Sequence, residues 1–123
     1  MSAKRFAMFG AGFWAGYQLA AWGEVGGARC VAVCDRVPEK AQALAERFGV
    51  PKIYADPESL FRSETLDFVD IIASPDAHAP LIRLAARHGV PVICQKPLCP
   101  TLAEARAVAD ECAAAGVPLF VHE

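Results

Sequence analysis

No apolar run in this chain of 123 residues approaches the ~20 that a membrane-spanning helix requires, although 54% of its residues are hydrophobic. No basic stripe is present either. Twelve lysines and arginines are scattered among fourteen acidic residues for a formal charge of −2, which argues against a nucleic-acid partner. The five cysteines, Cys30, Cys34, Cys94, Cys99 and Cys112, form no C-x-x-C pair and are odd in number. Three of them lie in apolar, strand-like runs, where a free cysteine behaves as a small hydrophobe, so neither a metal site nor a disulfide framework is expected. Linkers and low-complexity tracts are missing too, which leaves one domain over residues 1–123 that buries roughly two-thirds of its unfolded surface. Met1-Ser2-Ala3-Lys4-Arg5 leads into an apolar stretch that mimics a signal peptide, but Gly10 and Gly12 interrupt it, and the expected location is cytoplasmic.

Short apolar runs alternate with helical patterns. Strands are expected at Lys4–Phe9, Arg29–Cys34, Lys52–Ala55, Leu66–Ser74, Val90–Gln95 and Val117–Val121. Helices are expected at Phe13–Trp22, Pro38–Phe48, Pro57–Arg62, Asp76–His88 and Leu102–Ala115. Thr101 and Glu104 form a capping box at the start of the last helix, and Pro80 is tolerable in the fourth if it falls near the first turn. Gly49, Gly89 and Gly116 each close a helix and are each followed by Val-Pro, which marks three helix-to-strand joints. Such alternation predicts an α/β fold, a doubly wound parallel sheet of six strands in the order 3-2-1-4-5-6 with helices on both faces.

Gly10-Ala11-Gly12-Phe13-Trp14-Ala15 has the G-x-G-x-x-A spacing of a dinucleotide fingerprint. Gly10 permits the tight turn, Gly12 lets the backbone approach a pyrophosphate, and Ala15 lets the helix pack close to its strand. The pattern alone is weak, because methyltransferases also carry glycine-rich first loops; its place between a strand and a helix strengthens it. Asp35 follows Gly10 by 25 residues at the end of the second strand, where a carboxylate accepts both ribose hydroxyls and repels a 2′-phosphate, favouring NAD over NADP. Arg36 keeps NADP open, since a guanidinium there stacks on adenine or pairs with that phosphate. A solvated turn is the plain alternative for the pair, and the glycine-rich loop at this distance weighs against it.

Ser74 and Pro75 follow the fourth strand, which that order sets beside the first across the topological switch, within reach of the cofactor's nicotinamide side. His78 is a further candidate there, although its spacing fits equally a helix residue bonded to nearby backbone. His88, beside Gly89, reads as a favourable cation at a helix C-terminus. Lys96, after Gln95 and before Pro97, ends the fifth strand over the nicotinamide half of the crevice. It has two readings, a group that bonds a substrate hydroxyl and joins in proton transfer, or a snorkelling surface lysine.

Taken in order, "FGAGFWA", "VCDR", "IIASPDAHAPL", "CQKPL" and "VPLFVHE" resemble the nucleotide-binding half of the Gfo/Idh/MocA oxidoreductases over the whole chain. The resemblance implies NAD or NADP as cofactor, hydride transfer to or from a sugar, inositol or related polyol, and a second domain that forms the substrate pocket and often the oligomer contact. It implies that Lys96 binds substrate and assists proton transfer, and that Gly10, Gly12 and Ala15 match the phosphate loop, Asp35 the ribose acid and Ser74-Pro75 the cofactor loop. It further implies that His122-Glu123 opens the crossing to the second domain, which would hold the lysine's partner, so these residues are expected to bind cofactor without turnover. Gln95 departs from the family's glutamate. Phe13, Trp14 and the last strand would be left as an exposed rim that promotes self-association. A non-catalytic module sensing redox state or ligand is the alternative, and Lys96 with Pro97 separates the two, since a sensor does not need that lysine.

Overall fold

The computed structural model describes residues 3–123; Met1 and Ser2, the first residues of the signal-like stretch, lie outside the described residues. The strands are β1 (Lys4–Phe9), β2 (Ala28–Cys34), β3 (Lys52–Tyr54), β4 (Phe68–Ile71), β5 (Val92–Gln95) and β6 (Leu119–His122). The helices are α1 (Phe13–Val25), α2 (Pro38–Phe48), α3 (Pro57–Ser63), α4 (Pro75–Arg87) and α5 (Leu102–Ala115). All six strands join one parallel sheet in the expected order β3-β2-β1-β4-β5-β6. No described helix is long and apolar enough to cross a membrane.

Period-two alternation in β1 divides the core. Phe6 and Met8 join Ala15, Leu19, Val33, Ala41 and Leu44 beneath α1 and α2, while Ala7 and Phe9 join Leu60, Val69, Ile71, Ile82 and Val108 on the other face. Fully burying a side chain such as Phe6 stabilises by roughly 1.5–3 kcal/mol. Its ring stacks on Phe68 at 4.9 Å and tilts against Trp22 at 5.0 Å.

The three Gly-Val-Pro joints share one hydrogen-bond pattern. Val50, Val90 and Val117 donate their N–H groups to the carbonyls of Ala45, Ala85 and Cys112, each at 2.9 Å, and each valine side chain is buried. That is the six-to-one bond and apolar contact of a Schellman stop, with proline preventing the helix from resuming. His88 stacks on Phe61 at 5.1 Å beside the second of these stops.

Several expected boundaries shift. β4 is four residues rather than nine: the Ile72 N–H makes the last rung to Phe9 O at 2.7 Å, and Ala73 and Ser74 lead into α4. β5 and β6 begin later than expected, because Val90 and Val117 are occupied in the helix stops. Pro80 lies in the second turn of α4, on its exposed side, so the carbonyl left without its partner is near solvent. Of the expected capping box, one half forms: Glu104 N–H donates to Thr101 Oγ1 at 3.2 Å.

Asp70, in β4, is buried in the middle of the sheet. It accepts hydrogen bonds from Trp22 Nε1 at 2.7 Å and Gln18 Nε2 at 3.0 Å, one turn apart on α1. Burial pushes its carboxyl above the usual range, outweighing the Trp22 and Gln18 hydrogen bonds, which lower it. The folded protein therefore holds this proton more tightly than the unfolded chain does. Asp70's contribution to stability is most favourable below the ordinary carboxyl pKa and is lost as pH rises through the raised value. Asp70→Asn should thus gain stability relative to the wild type as pH is raised from about 4 to 7 in urea unfolding; a difference that stays constant would mean that Asp70 does not titrate there.

Candidate functional site

The carboxyl ends of β1, β2 and β4 converge on Gly10. Its N–H donates to Cys34 O at 2.8 Å, and Phe9 O accepts from Ile72 N–H. Gly10 has φ of 101°, and a Cβ there would lie 2.0 Å from Ile72 O. Glycine is required by both the positive φ and the close passage of the β4 backbone.

Gly12 differs. It is the N-cap of α1 with φ of −79°, and a Cβ on it would meet no protein atom within 4 Å. α1 has no side-chain cap and no acidic residue in its first turn. The geometry is a cradle of amide donors at the positive end of a helix dipole, with open space in front, and it fits a pyrophosphate. Ala15 is fully buried against the sheet layer, as a small residue at that spacing requires.

Asp35 holds this turn in shape. Its Oδ2 accepts Ala11 N–H at 2.7 Å and its Oδ1 accepts Val37 N–H at 2.8 Å. A carboxylate oxygen has two acceptor sites, so each retains one for a hydroxyl from solvent or ligand. Arg36 is exposed beside it. Phe13 and Trp14, 82% and 51% exposed, pack around Tyr17 on the outside of α1, and on β6 Phe120 is 61% exposed.

Ser74 is exposed as the N-cap of α4, with no hydrogen bond from its side chain to the cap, and Pro75 occupies the first helical position. Across from it the chain leaves β5 through Gln95, Lys96 and a cis Lys96–Pro97 peptide. Lys96 is exposed, and its N–H meets both Gln95 Oε1 at 3.0 Å and His122 O at 3.2 Å. Gln95 Nε2 lies 3.5 Å from His122 Nδ1. Among the described residues the Lys96 side chain enters no ion pair. His78 is buried under this loop and bonds backbone, the plainer of its two readings; neither ring nitrogen is left for a direct contact with a ligand.

The site is thus an open sheet edge. A separate hollow lined by Leu19, Trp22, Cys30 and Phe48 lies toward the opposite, amino ends of the strands. Desolvation pushes the thiols of Cys30, Cys34 and Cys94 up to about 12, which keeps them protonated and poorly nucleophilic at neutral pH.

A doubly wound sheet with a free helix N-terminus at its switch point and a carboxylate at the end of the adjoining strand defines a dinucleotide-binding domain. The chain belongs to the GFO_IDH_MocA family, described as an oxidoreductase family with an NAD-binding Rossmann fold, which matches residues 4–123. It is 46% identical over 122 residues to a D-apiose dehydrogenase of Paraburkholderia graminis, covering 98% of this chain and 32% of the relative. It is 41% identical to a D-apiose dehydrogenase of Rhizobium rhizogenes over 123 residues, all of this chain and 36% of that one. An oxidoreductase from Agrobacterium radiobacter, crystallised with NAD+, L-tartaric acid and magnesium, superposes with a TM-score of 0.96 at 40% identity over 99% of this chain and 36% of its own. The chain therefore spans about a third of the length of the relatives it matches.

The two glycines should separate in experiment. Gly10→Ala should cost more than about 3 kcal/mol of folding stability through strain and the clash at Ile72. Gly12→Ala should cost about 1 kcal/mol or less by chemical denaturation. Equal losses would contradict the distinct roles assigned to the two positions.

Proposed function

We propose that this chain is the cofactor-holding half of a dehydrogenase that moves a hydride between NAD(H) and a sugar, inositol or related polyol. The observation that carries the proposal is the uncapped α1 N-terminus at Gly12, with Asp35 anchored beside it. The backbone amides at Phe13 and Trp14 hold the pyrophosphate, the spare acceptor sites of Asp35 take the adenosine ribose hydroxyls, and Arg36 flanks the adenine. Ser74 and Pro75 border the nicotinamide ribose. The bound nicotinamide accepts or donates the hydride. Lys96 bonds the substrate hydroxyl and assists its proton as the hydride moves, and Gln95, through Oε1, steadies the backbone at Lys96.

The names of the D-apiose dehydrogenases support a sugar as the substrate class. Asp35 supports NAD over NADP, because a 2′-phosphate would meet a carboxylate already fixed by two amides. Turnover draws on groups opposite Lys96 besides those of these residues, whose own part is to bind the cofactor. In a protein of the relatives' length, a substrate domain would form the homo-oligomer contact, and the enzyme would work in the cytoplasm.

Calorimetry with NADH, NADPH and S-adenosylmethionine tests the reading. NADH should bind, NADPH should bind at least about tenfold more weakly, and Asp35→Asn should narrow that gap. Preference for NADPH would overturn the role given to Asp35; binding of S-adenosylmethionine alone would overturn the dehydrogenase assignment.

A further inference from the structure

His78 is the fourth residue of α4 and is 1% exposed. Helical side chains lean toward the N-terminus of their helix, which brings this ring back over the loop that precedes α4. Its Nε2 lies 2.9 Å from Ala73 O. Its Nδ1 lies 3.0 Å from Pro97 O and 3.1 Å from Leu98 O. One imidazole therefore spans the loop leaving β4, just before Ser74, and the loop leaving β5, just after Lys96. These are the two loops that border the nicotinamide end of the crevice.

Carbonyl oxygens only accept hydrogen bonds, so each ring nitrogen is satisfied here only as a donor. With a single ring proton, the pair of carbonyls at Nδ1 assigns it there, shared between Pro97 and Leu98. A leucine or alanine would leave the Pro97 and Leu98 carbonyls without this donor, and the Lys96 turn without its tie to the first turn of α4.

We propose that His78 is a positioning residue that fixes the Lys96 turn relative to the Ser74 loop, touching neither cofactor nor substrate itself. The proposal rests on the reading that Lys96 and Ser74 border the nicotinamide. His78 should then govern the part of NADH affinity that comes from the nicotinamide half. The adenosine diphosphate half, held by Gly12 and Asp35, should be indifferent to it.

The test compares NADH with ADP on the 123-residue chain. In His78→Leu, NADH affinity should fall about tenfold while ADP affinity stays within about twofold. His78→Gln, which restores an N–H donor, should recover part of the NADH affinity. Equal losses for NADH and ADP would reduce His78 to a general packing residue, and unchanged NADH affinity would remove its role altogether; either overturns the proposal. Should the leucine variant fail to fold, nitrogen NMR of the wild-type ring decides: a proton on Nδ1 is expected, and a bare Nδ1 would overturn the shared donor. Acylation of Lys96, mapped by peptide mass with and without NADH, tests the underlying reading separately. Shielding of Lys96 by NADH in the wild type is expected; no shielding would overturn the place given to Lys96, and with it the reason for a His78-held turn.

Discussion

Three strand ends meet at Gly10 with no room for a side chain, and the rest of the ligand edge follows from that convergence. The Gly10 N–H bonds the end of β2, and the last residue of β1 accepts from the residue after β4. Placing a Cβ 2.0 Å from Ile72 O would force the switch point apart. Asp35 completes the arrangement from the β2 side by gripping Ala11 and Val37 through their amides. Because the backbones are fixed this closely, α1 starts at a defined point in front of open space, which is what a diphosphate needs.

The helix starts divide into capped and uncapped. α3 and α5 carry side-chain caps, Asp56 to Ser59 and Thr101 to Glu104. α1, α2 and α4 carry none. An N-cap hydrogen bond is typically worth about 1 kcal/mol, so the chain forgoes this stabilisation at the helices that follow β1, β2 and β4, while α5, which follows the strand that carries Lys96, keeps its cap. At α1, which has no proline in its first turn, the Phe13 and Trp14 amides remain available to a ligand. Asp70 supports the same edge from below, since its bonds to Gln18 and Trp22 hold α1 against β4.

Much of this was legible in the residues, for local reasons. Strand order follows from alternation and crossover handedness, and the Gly-Val-Pro stops follow from a motif that satisfies its own hydrogen bonds within six residues. Features set by distant partners were not legible. The role of Asp70 is one of these, because its donors lie 48 and 52 residues away; the spacing of Gln18 and Trp22, four apart on an otherwise apolar helix face, was the available hint. Gly10 was read as a turn residue, while the closer constraint is the β4 backbone beside it. Asp35 was read for its ligand, and its backbone duties emerged only in three dimensions. Position alone left Lys96 with two readings, and family resemblance favoured one of them; the contact of Gln95 with His122 depends on the register of β5 with β6.

An amide NMR titration of this chain with NADH tests most directly the claim that the dinucleotide lies on the carboxyl edge with its phosphates at α1. The account predicts shifts concentrated at residues 11–15, 35–37, 73–75 and 95–98, with the amino ends of the strands unmoved. Shifts centred on the hollow around Trp22, Cys30 and Phe48, or no shifts at Phe13 and Trp14, would contradict it.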